Sequence, residues 1–169
     1  MPAPPTPPRA VLLTKFGVGL AKLHRAYQAA ADRAIAHVGL SHALAWPLMS
    51  IGRLGGGVRP GVVAESLGIE SASIVRSIEQ LVEAGLAERR PDPGDGRAKT
   101  LHLTDAGQAA WEQIEDALDA LRAELFTGVA DADLAASLRV FESLGRTLGC
   151  GLPETPAKPK RRKSRLVHA

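Results

Sequence analysis

Apolar residues recur at helical spacing through most of the chain, and glycine or proline marks the breaks between stretches. Over about residues 10–37, Leu12, Phe16, Leu20, Leu23 and Tyr27 fall three and four apart and share one helix face. Gly39 ends that helix. Ser41 is placed to cap a second helix, about 42–54, in which Pro47 predicts a kink or a later start. Gly55-Gly56-Gly57 is a clear break, and Arg59-Pro60-Gly61 leads into a short helix that turns at Gly68. The next helix, about 71–84, buries Ile74, Val75, Ile78, Leu81 and Val82 and ends at Gly85. Two short strands follow. In the second, Leu101 and Leu103 alternate with Thr100 and His102, and Pro93-Gly94-Asp95-Gly96 supplies the turn. Thr104-Asp105 caps a long helix to about residue 126, where Trp111, Ile114, Leu118, Leu121 and Leu125 form a heptad seam that calls for a partner helix. A last helix, about 131–148, presents Leu134, Leu138, Phe141, Leu144 and Leu148.

The order helix, helix, helix-turn-helix, hairpin, helix, helix predicts a mainly α fold with a small β-hairpin. It is a winged helix-turn-helix with N- and C-terminal dimerisation helices. Residues 10–149 read as a single domain. Within it the winged helix spans about 55–104, and the dimerisation helices span about 10–37 and 104–149, with Leu12, Phe16, Trp111, Leu118, Leu125, Leu138 and Phe141 as the contact residues. Residues 1–9 (MPAPPTPPR) read as a disordered proline-rich arm, and 150–169 as a disordered basic tail.

Composition adds limits. Apolar content of 45% and charged content of 23% are ordinary for a soluble globular protein, and aromatics are scarce at 4%. The single cysteine, Cys150, excludes an internal disulfide framework and fits a cytoplasmic location. Lys15, Lys22 and Arg25 interrupt the first apolar stretch, so no membrane span is expected. The formal charge of +3 is uneven: residues 1–152 hold 15 of the 21 basic and 17 of the 18 acidic side chains. Any affinity of the body for nucleic acid must therefore come from local clustering.

Such a cluster exists. In the helix from Ser71, the residues Ser73, Arg76, Ser77 and Gln80 fall at i, i+3, i+4 and i+7 and share the face away from the core. Hydroxyls, a guanidinium and an amide are the groups that read base edges in a major groove, although a solvated helix face is polar as well. The hairpin adds Arg89, Arg90, Arg97 and Lys99, and an arginine at such a tip suits the narrow minor groove. An ordinary charged turn remains the plainer alternative.

Residues 58–107 resemble the MarR family of bacterial transcriptional regulators. The matching features are Leu67-Gly68-Ile69; Ser71, Ser73 and Arg76; Leu81, Gly85 and Leu86; Asp95, Arg97, Ala98 and Lys99; and Leu101, Leu103, Thr104 and Gly107. The order of flanking helices extends the likeness to about 10–149. The resemblance implies a homodimeric repressor of sequence-specific type on a pseudo-palindromic operator. Ser71, Ser73, Arg76, Ser77, Gln80, Arg89, Arg97 and Lys99 would contact double-stranded DNA, and Asp95 would support the wing by holding Arg97 or a neighbouring arginine. Gly96 departs from the family, in which many relatives carry a further arginine there.

The resemblance also implies a pocket between the outer helices and the reader for a small aromatic or phenolic carboxylate. The candidates are His24, Tyr27, His42, Trp46 and Arg53: Trp46 as wall, Arg53 as cation, His42 or Tyr27 as donors. Trp46 serves equally as a core residue. The five histidines lack metal-ligand spacing, and no phosphate-binding loop or catalytic constellation is present, so neither enzyme activity, metal nor cofactor is expected. Cys150 reads as an inert exposed thiol, and the tail (KPKRRKSR) either adds salt-dependent phosphate affinity or is merely solvated. Two other readings stay open: an architectural, weakly specific DNA binder, and a winged-helix assembly module with no small-molecule response.

Overall fold

The structure, a computed structural model, describes residues 7–150; the N-terminal arm, apart from residues 7–9, and the basic tail beyond Cys150 lie outside the described residues. Helix α1, Arg9–Ile35, begins after Pro8 and tightens into a 3-10 turn, Ala36–Val38. Gly39 then takes a left-handed conformation and its N–H returns to the Ala36 carbonyl. Helix α2, His42–Arg53, starts at His42 despite Pro47. Pro47 is buried, and the carbonyl its missing N–H would have met belongs to exposed Ala43, so the lost bond falls near solvent. Ser41 stands at the cap position but makes no side-chain cap bond.

Helices α3 (Pro60–Leu67) and α4 (Ser71–Glu83) are joined through Gly68 at φ 65°. Strands β1 (Ala87–Asp92) and β2 (Asp95–Leu103) pair antiparallel, and Val58 bridges to Leu101 on the far side of β2. Both Thr100 and Leu101 are buried, so β2 does not alternate cleanly: the Thr100 hydroxyl is satisfied by the Arg90 carbonyl and by His102 Nε2. Helix α5, Asp105–Leu125, is capped by Thr104, whose Oγ1 accepts from Gly107 N at 3.0 Å and donates to the Gly85 carbonyl at 2.6 Å. One hydroxyl thus ties the end of α4 to the start of α5. Helix α6, Asp131–Leu148, closes the described chain.

One core unites these elements. Leu48, Met49 and Ile51 of α2 lie at its centre, with Ile74, Ile78 and Leu81 of α4 and Leu101 of the wing packed against them. The α5 seam joins the same core, which corrects an expectation. Trp111 is 2% and Leu118 1% exposed within the single chain, so neither offers surface to a second copy. The heptad has its partners already, α1 and α2 of its own protomer. Gly52 of α2 permits this closeness: a Cβ there would stand 2.6 Å from Trp111 Cε2.

The uncovered apolar surface is elsewhere. On α1, Leu12 (43%), Phe16 (41%), Leu20 and Leu23 are exposed, and on α6 Leu138 (52%), Leu144 and Leu148 are too. Phe141 is half-buried against Phe16, ring centroids 6.3 Å apart, and Leu125 is exposed at the end of α5. Among the described residues no single helix is long and apolar enough to cross a membrane.

Candidate nucleic-acid interface

The reader is built from backbone geometry first. Gly68 takes the left-handed conformation and sends its N–H to Glu65 O, while Ile69 N reaches Ala64 O. That cap turns the chain sharply into α4 with no steric cost at Gly68. Ile74, Ile78 and Leu81 then anchor one side of α4 in the core. Ser71, Ser73, Arg76 and Gln80 are exposed on the remaining surface, with Ser77 half-buried at its edge. Arg76 makes no ion pair or side-chain hydrogen bond among the described residues, so its donors face solvent. Val75 was expected inside. It is outside, next to Arg76, because the buried arc of α4 is narrow and centres on Ile74, Ile78 and Leu81.

The wing is held by a residue the sequence did not mark. Arg59, immediately before α3, places Nε 2.7 Å from Asp92 Oδ2 and a terminal nitrogen 3.6 Å from Asp95 Oδ2. The other oxygen of Asp92 accepts from Gly94 N at 2.8 Å. This backbone donor and the Arg59 hydrogen bond hold Asp92 below the usual carboxylate range. The same bond, with the Asp92 charge, raises the already high pKa of Arg59. Asp95 also accepts from the backbone N–H of Arg97 at 3.1 Å. Its support role therefore runs through Arg97's main chain and the Arg59 side chain, not through the Arg97 guanidinium.

This clamp explains how Arg97 is presented. In the β1–β2 ladder Pro91 faces Lys99 while Asp92 faces Asp95, so residues 96–98 fall in a bulge with no opposite number. Arg97 projects from that bulge, exposed, as are Arg89 and Lys99. Arg90 is instead paired with Glu88. With both tip carboxylates paired to Arg59, the charges left without a partner at the tip among the described residues are cationic.

The suggested ligand residues fall into two separate clusters. In one, the Asp32 carboxylate lies 2.8 Å from His42 Nδ1, and the Trp46 indole N–H points at the same nitrogen. In the other, Arg53 is not open to an anion: its Nε and terminal nitrogen meet Glu115 at 2.6 and 3.1 Å. Glu115 also accepts from Trp111 Nε1 at 3.2 Å and lies 3.9 Å from Arg122, against which Tyr27 is set. Burial alone would raise Glu115, but the Arg53 bond and charge, the indole donor and Arg122 outweigh it and hold the carboxyl below its ordinary value. Glu115 thus sits between Arg53 of α2 and Arg122 of its own helix. It is the junction of α2 and α5, and only the fold brings Arg53 62 residues along the chain to meet it. His24 is exposed on α1 and joins neither cluster. Cys150 is exposed.

Comparison with known proteins agrees with this architecture. Residues 39–98, from the start of α2 through the wing bulge, match the MarR family model. The transcriptional regulator PA3341 is 29% identical, with a TM-score of 0.74 over 79% of this chain and 98% of its own. CouR from Rhodococcus jostii RHA1, solved bound to p-coumaroyl-CoA, is 25% identical, with a TM-score of 0.70 over 76% of this chain and 90% of its own. MarR from E. coli, at 20% identity and a TM-score of 0.62 over 83% of this chain and 98% of its own, shares the fold. The match of residues 39–98 to the family model and the likeness to these solved regulators over most of the chain make the chain similar to the MarR family of transcription regulators.

Proposed function

We propose that two copies of this chain bind a pseudo-palindromic operator, each placing α4 in a major groove and its wing in the flanking minor groove, and so repress transcription. One observation carries this reading. Arg76, with Ser71, Ser73 and Gln80 around it, stands without a partner among the described residues on the exposed side of a helix whose other side is locked into the core. Guanidinium, hydroxyl and amide groups held rigidly at that spacing suit base edges. Arg97 and Lys99 extend the cationic surface beyond the helix.

The exposed apolar rows of α1 and α6 support dimerisation. Leu12, Phe16 and Leu138 lie in the terminal helices, outside the helix-turn-helix and wing, and exposed apolar rows of this kind are costly to leave in water. A twofold dimer through these helices would set two α4 helices about one helical turn of DNA apart.

Selection of bound duplexes from a random pool tests the reading. A palindrome with half-sites about 10 bp apart, or a multiple of that, is the expected result. Recovery of no sequence preference would leave an architectural binder, and no binding at all an assembly module.

A small aromatic carboxylate is proposed as the releasing signal, with Trp46 and His42 on its path. The CouR likeness favours an aromatic acid or its thioester. Because Arg53 is committed to Glu115, an anion would gain its charge only by displacing that carboxylate. Calorimetry with salicylate and p-coumarate checks this: no heat and no release of bound operator would remove the sensor from the reading.

A further inference from the structure

One exposed side chain of α4 has no place in the polar reading above. Val75 is 45% exposed, although α2, α3 and β1 all pack against the helix that carries it. At 3.6 residues per turn it stands about 100° around the axis from Arg76. Exposed Ala72 lies one turn earlier, three residues before Val75 and four before Arg76. The N-terminal half of α4 therefore sets methyl groups directly beside the free guanidinium. Valine at a solvated helix position brings little locally: β-branching restricts its rotamers in a helix, and here it gains no burial in return.

In a major groove that choice has a use. Thymine presents a methyl group at C5, and an apolar side chain recognises it by contact, whereas arginine suits guanine O6 and N7. Side chains in the N-terminal half of a recognition helix are those that reach base edges. Successive base pairs lie about 3.4 Å apart, so neighbouring side chains on the helix reach neighbouring pairs. Ser71 and Ser73 flank the methyl pair, and the first turn of α4 holds no acidic residue, which favours a polyanion over an apolar protein partner as the occupant.

We propose that Val75, with Ala72 beside it, reads the 5-methyl group of a thymine in the base pair next to the guanine held by Arg76. This rests on the operator binding proposed above and adds a specificity determinant to it. The half-site should then contain adjacent thymine- and guanine-bearing pairs, with the thymine chosen through its methyl group and not through hydrogen bonds.

The test uses the full chain and the selected operator, with each thymine replaced in turn by deoxyuridine, which keeps the pairing and removes only the methyl. One symmetry-related position should weaken wild-type binding about fourfold per half-site, the value of one buried methyl-sized group. Val75→Ser should be insensitive to the replacement at that position, and Val75→Thr, which keeps one methyl, should retain the sensitivity. Equal thermal melts for the variants confirm that the fold is intact, as expected for an exposed side chain. If no deoxyuridine matters while Arg76→Ala still abolishes selective binding, the valine reading is overturned and the operator reading survives. If the pool yields no preferred sequence, the operator reading fails and takes this one with it.

Discussion

Gly107→Ala isolates the joint between reader and outer helices. Gly107 is the third residue of α5, where a helical glycine normally gains up to about 1 kcal/mol on replacement by alanine. Here the backbone of Leu86 passes too close. A Cβ on Gly107 would stand 2.8 Å from the Leu86 carbonyl carbon, nearer still to its oxygen, and 3.3 Å from its Cα. Ordinary contact begins at 3.4 Å, so backbone and not a flexible side-chain end must give way. Overpacking of this kind costs roughly 1–3 kcal/mol. The shift would also strain the Thr104 cap, which joins Gly107 N to the Gly85 carbonyl through one hydroxyl, for about 1 kcal/mol more. After the propensity gain the net destabilisation is about 1–3 kcal/mol, a fall in Tm on the order of 3–10 °C for a chain of this size. Thermal melts followed by circular dichroism, at fixed protomer concentration, measure it. Gly61→Ala is the control: it too is helical, but its Cβ would meet only Ser71 Oγ at 3.8 Å, so it should be neutral or slightly stabilising. If Gly107→Ala behaved like Gly61→Ala, the close approach of Leu86 to α5 would be refuted.

Four further expectations follow from the same structure. Arg97→Ala should weaken operator binding while leaving the oligomeric state unchanged in light scattering; unaltered affinity in a gel-shift titration would take the wing out of the interface. Arg59→Ala should release Asp92 and Asp95 together, leaving two uncompensated carboxylates beside Arg97, and so lower operator affinity and increase its dependence on the wing variants; a double-mutant cycle with Arg97→Ala that came out additive would contradict the clamp. Phe16→Glu should convert a dimer into monomers in sedimentation, since it puts a charge into the exposed apolar row; an unchanged dimer would move the interface elsewhere. Glu115 has a folded pKa depressed below 4.5, so its stabilising contribution is present above that value and lost as the pH falls through the folded value. The stability gap between wild type and Glu115→Gln should therefore be full at neutral pH and shrink below pH 4.5; a gap that stayed constant down to strongly acidic pH would show that the carboxylate charge is not what matters.

Local pattern was enough for much of this protein. Glycine at positions that need a left-handed backbone, a threonine cap and helical spacing of apolar residues place α1 to α6 and the wing to within a few residues, because each depends on neighbours in sequence. The exposed side of α4 was legible for the same reason: three buried positions, Ile74, Ile78 and Leu81, fix where Ser73 and Arg76 point. What the sequence alone could not decide was which apolar face meets which partner. The α5 heptad is as well suited to another chain as to α1 and α2 of its own, and burial of Trp111 and Leu118 in the protomer depends on Gly52 letting α2 approach. Val75 passed for core because periodicity tolerates one residue at the margin of a buried arc, and only the packing of α2, α3 and β1 shows how narrow that arc is. Arg59 with Asp92, and Arg53 with Glu115, are ion pairs across 33 and 62 residues, and no spacing rule reaches that far. Charge in a sequence is only a count; the tertiary structure decides which charges cancel and which, like those of Arg76 and Arg97, are left to meet something else.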